Sequence, residues 1–178
     1  MKRIDVSTPK FPNTFAFVDD SDFDRINAFN WHAYQSRSDK RIYASRALKL
    51  PDGRRAKKFM HREILDTPLS VDHRDLDGLN NTRANLRPAT HSQNCQNTRK
   101  PKHGVTSQYK GVSWNKGAQK YQATVRTQKK NHYLGLFKNE ADAGWAYDRE
   151  ARNLFGSFAR CNFPPPPAIP LNIYFGVN

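Results

Sequence analysis

Between Val71 and Asn97 the sequence reads Val-Asp-His-Arg-Asp-Leu-Asp-Gly-Leu-Asn-Asn-Thr-Arg-Ala-Asn-Leu-Arg-Pro-Ala-Thr-His-Ser-Gln-Asn-Cys-Gln-Asn. Four of these side chains have the chemistry of phosphodiester hydrolysis. The Asp72 carboxylate and the Asn94 amide oxygen are hard donors. Mg²⁺ or Mn²⁺ accepts such donors while keeping waters and phosphate oxygens in its other positions. One such ion neutralises charge that develops on the phosphate and on the leaving 3′ oxygen. His73 titrates near neutrality and is suited to take the proton of an attacking water. Asn85, across the intervening loop, is suited to hold that imidazole in the useful tautomer. Taken singly, each residue has a plain reading: an Asp-His pair in a loop is usually polar surface, and an Asn often only ends a turn. Their joint occurrence is what points to hydrolysis.

For these groups to meet, a specific run of elements must carry them. Asp77-Gly78 is a tight-turn signal, and Asn80-Asn81 prolongs the polar loop. The flanks, Val71-Asp72-His73 and Asn85-Leu86-Arg87, read as two short strands, the second broken by Pro88. Thr90 is an N-cap, and Gln93, three residues on, completes a capping box. A short helix from about His91 to Thr98 is expected to follow. Strand, loop, strand and helix then bring Asp72, His73, Asn85 and Asn94 to one place. These residues, with Asp77 to Arg83 and Gln93-Asn94, resemble an HNH endonuclease. The closer likeness is to the phage and intron-encoded homing type, in which Asn replaces the last His. The resemblance implies a ββα-metal fold. It implies His73 as general base and Asn85 as the Asn that braces base and hairpin. It also implies Asp72 and Asn94 as the two protein ligands of a single divalent ion.

Upstream, Phe15-Ala16-Phe17-Val18, Trp31-His32-Ala33-Tyr34 and Arg41-Ile42-Tyr43-Ala44 read as short strands. Lys57 to Leu65 reads as a strand passing into a helix. His61 and Arg62 either touch a phosphate backbone or serve the fold, and His32 is assigned to packing. The acidic run Asp19 to Asp24 is not a calcium loop, because Arg25 and Trp31 stand where Gly and Glu are required. It reads as a surface turn that caps the short apolar element Phe23–Phe29.

From Tyr109 the pattern changes. Tyr109 to Trp114 enters a strand, Lys120 to Arg126 alternates, and Asn131 to Phe137 forms a third strand. Ala123 and Val125 face inward, leaving Gln122, Thr124 and Arg126 on the open face. Asn139 caps a helix that runs through Phe155 and stops at Gly156. Its stripe of Ala143, Ala146, Tyr147, Ala151 and Leu154 covers the sheet. This segment resembles an AP2/ERF DNA-binding domain through Tyr109-Lys110-Gly111-Val112, Tyr133-Leu134-Gly135-Leu136-Phe137, Ala146-Tyr147-Asp148 and Asn162-Phe163-Pro164. The resemblance implies that the sheet enters the major groove. Lys110, Arg126 and Tyr133 match contact positions; Thr124 and Asn131 also fall on them without the usual charge. Trp114 and Lys120 complete the candidate DNA-binding set, with sheet packing the alternative for Trp114 and Tyr133.

Composition narrows the partners. The 178 residues carry a net charge of +14, with 37% hydrophobic residues and a mean hydropathy of −0.90. The charge divides into +5 over residues 1–98 and +9 over the remainder, and Arg99 to His132 holds nine Lys or Arg and no acid. A basic stretch with aromatics interleaved faces nucleic acid more often than it forms an inert surface. No apolar run is long enough for a membrane span, and no secretory leader is expected after Met1. Cys95 and Cys161 make neither a disulfide framework nor a four-ligand zinc site.

The expectation is therefore an α+β chain with four parts: a nuclease domain over 1–100, a linker over 101–108, a second domain over 109–164 and a proline-led tail over 165–178. It is an intracellular protein, in a bacterial cytoplasm if phage-encoded, acting as a monomer on double-stranded DNA with one Mg²⁺ or Mn²⁺. A DNA-binding regulator with an inert nuclease module, and a packaging protein held by charge alone, remain the rival readings.

Overall fold

A computed structural model of the chain describes residues 1–100, 104–127 and 130–165. The linker residues 101–103 and the tail from 166 onward lie outside the described residues. The chain divides into two compact units, residues 1–98 and residues 99 onward.

The first unit opens with β1 (Lys2–Asp5) paired antiparallel to β2 (Phe15–Val18). Helix α1 (Asp20–Asn27) follows, then a three-stranded antiparallel sheet of β3 (His32–Gln35), β4 (Ile42–Lys49) and β5 (Arg55–Phe59). Helix α2 (Met60–Leu65) leads into the paired strands β6 (Ser70–His73) and β7 (Leu86–Ala89), and α3 (His91–Gln96) closes the unit. Ile4, Val18, Ile26, Trp31, Met60 and Leu86 form one continuous core among these elements. The capping box at α3 is present in both halves. The Gln93 N–H donates to Thr90 Oγ1 at 3.3 Å, and the Thr90 N–H donates to Gln93 Oε1 at 2.8 Å.

Three local expectations change. Pro88 does not break the second strand; it lies inside β7, opposite Val71. In a two-stranded sheet each strand has one free edge, and a residue without an N–H is tolerated there. The acidic run is not only a surface turn. Asp20 to Asn27 form α1, and Asp22 is buried against Arg83, whose Nε and Nη2 donate to its two oxygens at 2.7 and 2.8 Å. His32, assigned to packing, is exposed.

The second unit is a sheet of β8 (Val112–Asn115), β9 (Lys120–Arg126) and β10 (Asn131–Phe137) in the order β10-β9-β8, all antiparallel. Helix α4 (Glu140–Phe155) lies across one face and ends at Gly156, whose φ of +52° is open to glycine at little cost. Ala143, Tyr147 and Ala151 are buried against Val112, Ala123 and Val125. Leu154, expected in the stripe, is exposed, and Phe155 packs in its place.

Asp148, fully buried on α4, accepts hydrogen bonds from the Asn162 and Phe163 N–H groups at 2.8 Å each and from Asn162 Nδ2 at 3.0 Å. Asn162 in turn bonds both backbone groups of Lys110. The two ends of the unit are thereby tied together. Next in the chain, Gly111 has φ +75° and lies where a Cβ would meet the Tyr147 ring, so both backbone and space require glycine. Residues 106–108 are bonded to this unit as well. Thr106 Oγ1 accepts from the Trp114 N–H, and Glu140 Oε1 accepts from the Gln108 N–H.

Candidate hydrolytic site and nucleic-acid faces

Strand β6 ends in Asp72-His73, both 4% exposed, and α3 packs against β6 and β7. The Asp72 carboxylate is held from two sides. Arg87, its register partner on β7, donates from Nε to Oδ2 at 2.8 Å, with Nη2 2.6 Å from the same oxygen. Asn97, at the end of α3, donates from Nδ2 to Oδ1 at 3.0 Å and to Oδ2 at 3.1 Å, and also reaches the His73 carbonyl at 2.9 Å. Asn94 stands one turn earlier, a spacing that shares the helix face of Asn97. No hydrogen bond is made by the Asn94 side chain among the described residues.

The loop from Arg74 to Asn85 is built by side chains. Asn85, the predicted brace, donates from Nδ2 to Asp75 Oδ1 at 2.9 Å and to the Asn80 carbonyl at 2.8 Å, and accepts from the Asp75 N–H at 3.1 Å. Asp75 Oδ2 accepts from Asn80 Nδ2 at 2.7 Å. Asn85 therefore braces the hairpin, but the imidazole is bonded by a different asparagine. His73 Nε2 lies 3.4 Å from Asn81 Oδ1. Asn81 donates its Nδ2 to the Leu79 carbonyl at 3.0 Å, which fixes the amide with its oxygen toward the ring. That arrangement places the proton on His73 Nε2 and leaves Nδ1 as the basic nitrogen.

Two distant segments hold this loop in place. The Phe17 N–H donates to the Leu79 carbonyl and the Asn81 N–H to the Phe17 carbonyl, both at 2.8 Å, so the loop extends the edge of β2. The Arg83 N–H donates to Asp19 Oδ2 at 2.7 Å, beside the Asp22 pair. Gly78 is required by close approach, since a Cβ would come within 2.4 Å of the Ile42 carbonyl oxygen and 2.5 Å of Tyr43.

Burial pushes the His73 imidazole below its usual range, opposed by the Asn81 hydrogen bond and by Asp75, Asp72 and Asp77. His73 is thus neutral at physiological pH, the state a general base needs. The chemistry of the donor set fits a divalent ion. A carboxylate offers about four acceptor directions, and Asp72 Oδ1 takes only the Asn97 hydrogen bond among the described residues. No group of three or more His, Cys, Asp or Glu able to hold a metal occurs among the described residues. One carboxylate and one amide leave most positions to water and phosphate, as magnesium prefers.

The open face of the three-stranded sheet leads toward this site. Register puts Lys49, Arg55 and Lys57 on the same side as Tyr34, Tyr43 and Phe59. Lys57 Nζ lies 3.2 Å from the Tyr34 ring centre, and Tyr43 lies 6.0 Å from Phe59 and 5.8 Å from His73 between ring centres.

In the second unit, alternation along β9 sends Tyr121, Ala123 and Val125 toward α4 and Lys120, Gln122, Thr124 and Arg126 to the open face. Asn131 pairs with Arg126 and Tyr133 with Thr124, so all five predicted strand contacts share that face, and Tyr133 is 61% exposed. Trp114 does not join them. It pairs with Tyr121 on the packed side, ring centres 4.8 Å apart. Lys110 precedes β8 and is half-buried; burial, with Arg160 acting the same way, pushes its ammonium down to about 8.

No protein-family model matches the chain. Protein 3.8 of Escherichia phage T7 is 37% identical over 90 residues, covering 51% of this chain and 73% of that protein. A protein of Acanthamoeba polyphaga mimivirus, described as an uncharacterized HNH endonuclease, is 30% identical over 154 residues. That likeness spans 84% of this chain and 75% of the viral protein, and so includes the Asp72–Asn97 segment and reaches both units. Covering so much of both sequences, it establishes that the chain belongs to the HNH endonuclease family.

Proposed function

We propose that the protein is a metal-dependent, homing-type DNA endonuclease that hydrolyses one phosphodiester bond of duplex DNA per site, at a sequence read by its AP2-like second unit. The observation that carries the reading is the conjunction at the end of β6. There a neutral His73, its Nδ1 unbonded among the described residues, adjoins a carboxylate oriented by Arg87 and Asn97, under the helix that bears Asn94. Asp72 and Asn94 would hold the divalent ion, Mg²⁺ or Mn²⁺. When bound, it supplies positive charge for the phosphate and for the leaving oxygen.

His73 Nδ1 accepts the proton of the attacking water, and Asn81 keeps the ring in the tautomer that allows it. Asn85 maintains the loop on which both depend. Arg87 and Asn97 keep the Asp72 carboxylate from rotating away. In-line attack leaves a 5′-phosphate and a 3′-hydroxyl. With one site in each chain, a monomer nicks a single strand.

Two faces support duplex DNA as the substrate. One carries Lys120, Thr124, Arg126, Asn131 and Tyr133; the other carries Lys49, Arg55 and Lys57 beside Tyr34 and Tyr43. Both combine cations with aromatic rings, Tyr133 exposed and Tyr34 and Tyr43 half-buried, the composition that follows a phosphate backbone and stacks on bases. Among the described residues, no helix is long and apolar enough to cross a membrane.

Conversion of supercoiled plasmid to the nicked form by wild type and by His73→Ala, with Mg²⁺ or Mn²⁺ and with EDTA, tests the reading. Gel retardation of the same DNA is measured in parallel. Loss of general-base catalysis costs about 10²–10⁴-fold, with binding retained. Equal nicking by the two proteins, or nicking that survives EDTA, overturns it.

A further inference from the structure

Three rings meet beside the base. His61, the second residue of α2 and 8% exposed, stacks on Phe59 with ring centres 5.4 Å apart and planes 9° from parallel. Its ring meets His73 edge-on, at 5.0 Å and 89°. Tyr43 touches Phe59, His61 and His73 in turn. His61 Nδ1 is buried and has no hydrogen-bond partner among the described residues.

Packing alone does not account for a histidine here. Phenylalanine offers the same flat ring for the Phe59 stack and the His73 edge, and it leaves no polar atom desolvated. A buried nitrogen without a partner opposes folding, and native proteins keep such groups where water or function supplies the partner. The neighbouring ring has a use for one. Among the described residues His73 is bonded at Nε2 alone, through a 3.4 Å contact, so its plane depends on the rings against it.

We propose that His61 is a positioning residue of the hydrolytic site, its ring fixing the plane of His73 and its Nδ1 holding a water beside that base. This rests on the reading of His73 as the general base. His61 acts as a neutral group, since burial, with His73 and Arg62 adding to it, pushes its imidazole down to about 3. It neither competes for the proton nor binds phosphate as a cation.

Three substitutions separate the ring from its nitrogen. His61→Phe keeps the stack and removes Nδ1. His61→Asn keeps a polar atom near the Nδ1 position and removes the ring, and His61→Ala removes both. Nicking of supercoiled plasmid is measured for each, with the melting temperature and the Kd for the same DNA. His61→Phe melts no lower than wild type and binds DNA equally, but its kcat falls roughly tenfold to a hundredfold with KM unchanged. His61→Asn recovers part of the loss seen in His61→Ala. Wild-type kcat in His61→Phe overturns the inference. If that variant fails to fold, equal kcat in His61→Asn and His61→Ala overturns it instead. His73→Ala in the same assay keeps the two levels apart. If His73→Ala cleaves normally, the reading of the site fails; if it is inactive while His61→Phe cleaves normally, only the role of His61 fails.

Discussion

The first unit should lose stability in mild acid, and His61 sets much of the scale. The perturbation is a fall from about pH 7.5 to about pH 5, across the unfolded imidazole value of about 6.5. In the folded chain the His61 imidazole is pushed down to about 3, by burial first and then by His73 and Arg62. Its folded value is therefore depressed, so below about 6.5 the unfolded chain binds a proton that the folded chain refuses. The contribution of the neutral ring is complete above that value and is lost as pH falls toward 3. The slope inside the window is about 1.4 kcal/mol per pH unit, which integrates to about 2 kcal/mol by pH 5.

A domain of ordinary stability, roughly 5–15 kcal/mol, registers that loss clearly. His73, also depressed by burial, adds to the effect in every variant that keeps it. The comparison is therefore wild type against His61→Phe. Urea titrations at a series of pH values, followed by the fluorescence of buried Trp31 with Trp114 and Trp145 changed to Phe, give the two curves. They should keep a constant separation above neutrality and diverge by a further ~2 kcal/mol near pH 5. Parallel curves across the whole range would refute the reasoning.

Other perturbations reach different parts of the molecule. Asn81→Ala removes the acceptor that sets the His73 tautomer, and kcat for plasmid nicking should fall roughly tenfold to a hundredfold with DNA binding unchanged. Asp148→Ala strips the Asn162 and Phe163 N–H groups of their buried acceptor and should destabilise the second unit by about 3 kcal/mol, read from its thermal transition. Arg126→Ala on the open face should weaken binding and lower the slope of log K against log salt by about 1 if the guanidinium meets a phosphate. An unchanged slope together with altered sequence preference would instead assign Arg126 to a base edge.

What the sequence made legible was whatever rests on near neighbours. The Thr90–Gln93 box is a three-residue signal, and α3 begins where it says. Asn139 and Gly156 bracket α4 in position, although the Asn139 side chain bonds Asp142 and no backbone N–H, and period-2 alternation alone sorts Ala123 and Val125 from Thr124 and Arg126. Leu154 shows the limit: the helical stripe includes it, but the sheet ends before it and Phe155 packs instead.

Asn81 and Asn85 could not be told apart in this way. Both lie in one polar loop whose path is set by Phe17 and by Asp19 and Asp22, more than sixty residues earlier in the chain. No periodicity encodes those partners, so the asparagine that touches the imidazole was assigned four positions too late. The same blindness hid the buried ion pair within the acidic run. His61 was visible only as a histidine at a strand–helix junction, and its meaning depends on Phe59 and His73 standing on either side of it.

The charges explain why the site needs more than its own residues. Asp72 and Arg87 cancel one another at 2.6 Å. Beyond that pair, the charged groups felt most by His73 are Asp75 and Asp77, both carboxylates. His61 adds no charge, and the cations of the first unit's open face, Lys49, Arg55 and Lys57, lie along strands β4 and β5 away from the base. A phosphodiester drawn in by those cations would meet the Asp75 and Asp77 carboxylates beside the base. Among the described residues, a carboxylate with one oxygen direction open, an unbonded amide one turn from Asn97 and a neutral base would suit a different occupant, a small divalent cation. Under the proposed function the +14 of the chain would steer DNA to the protein, and the carboxylates beside the base would make cleavage conditional on the ion.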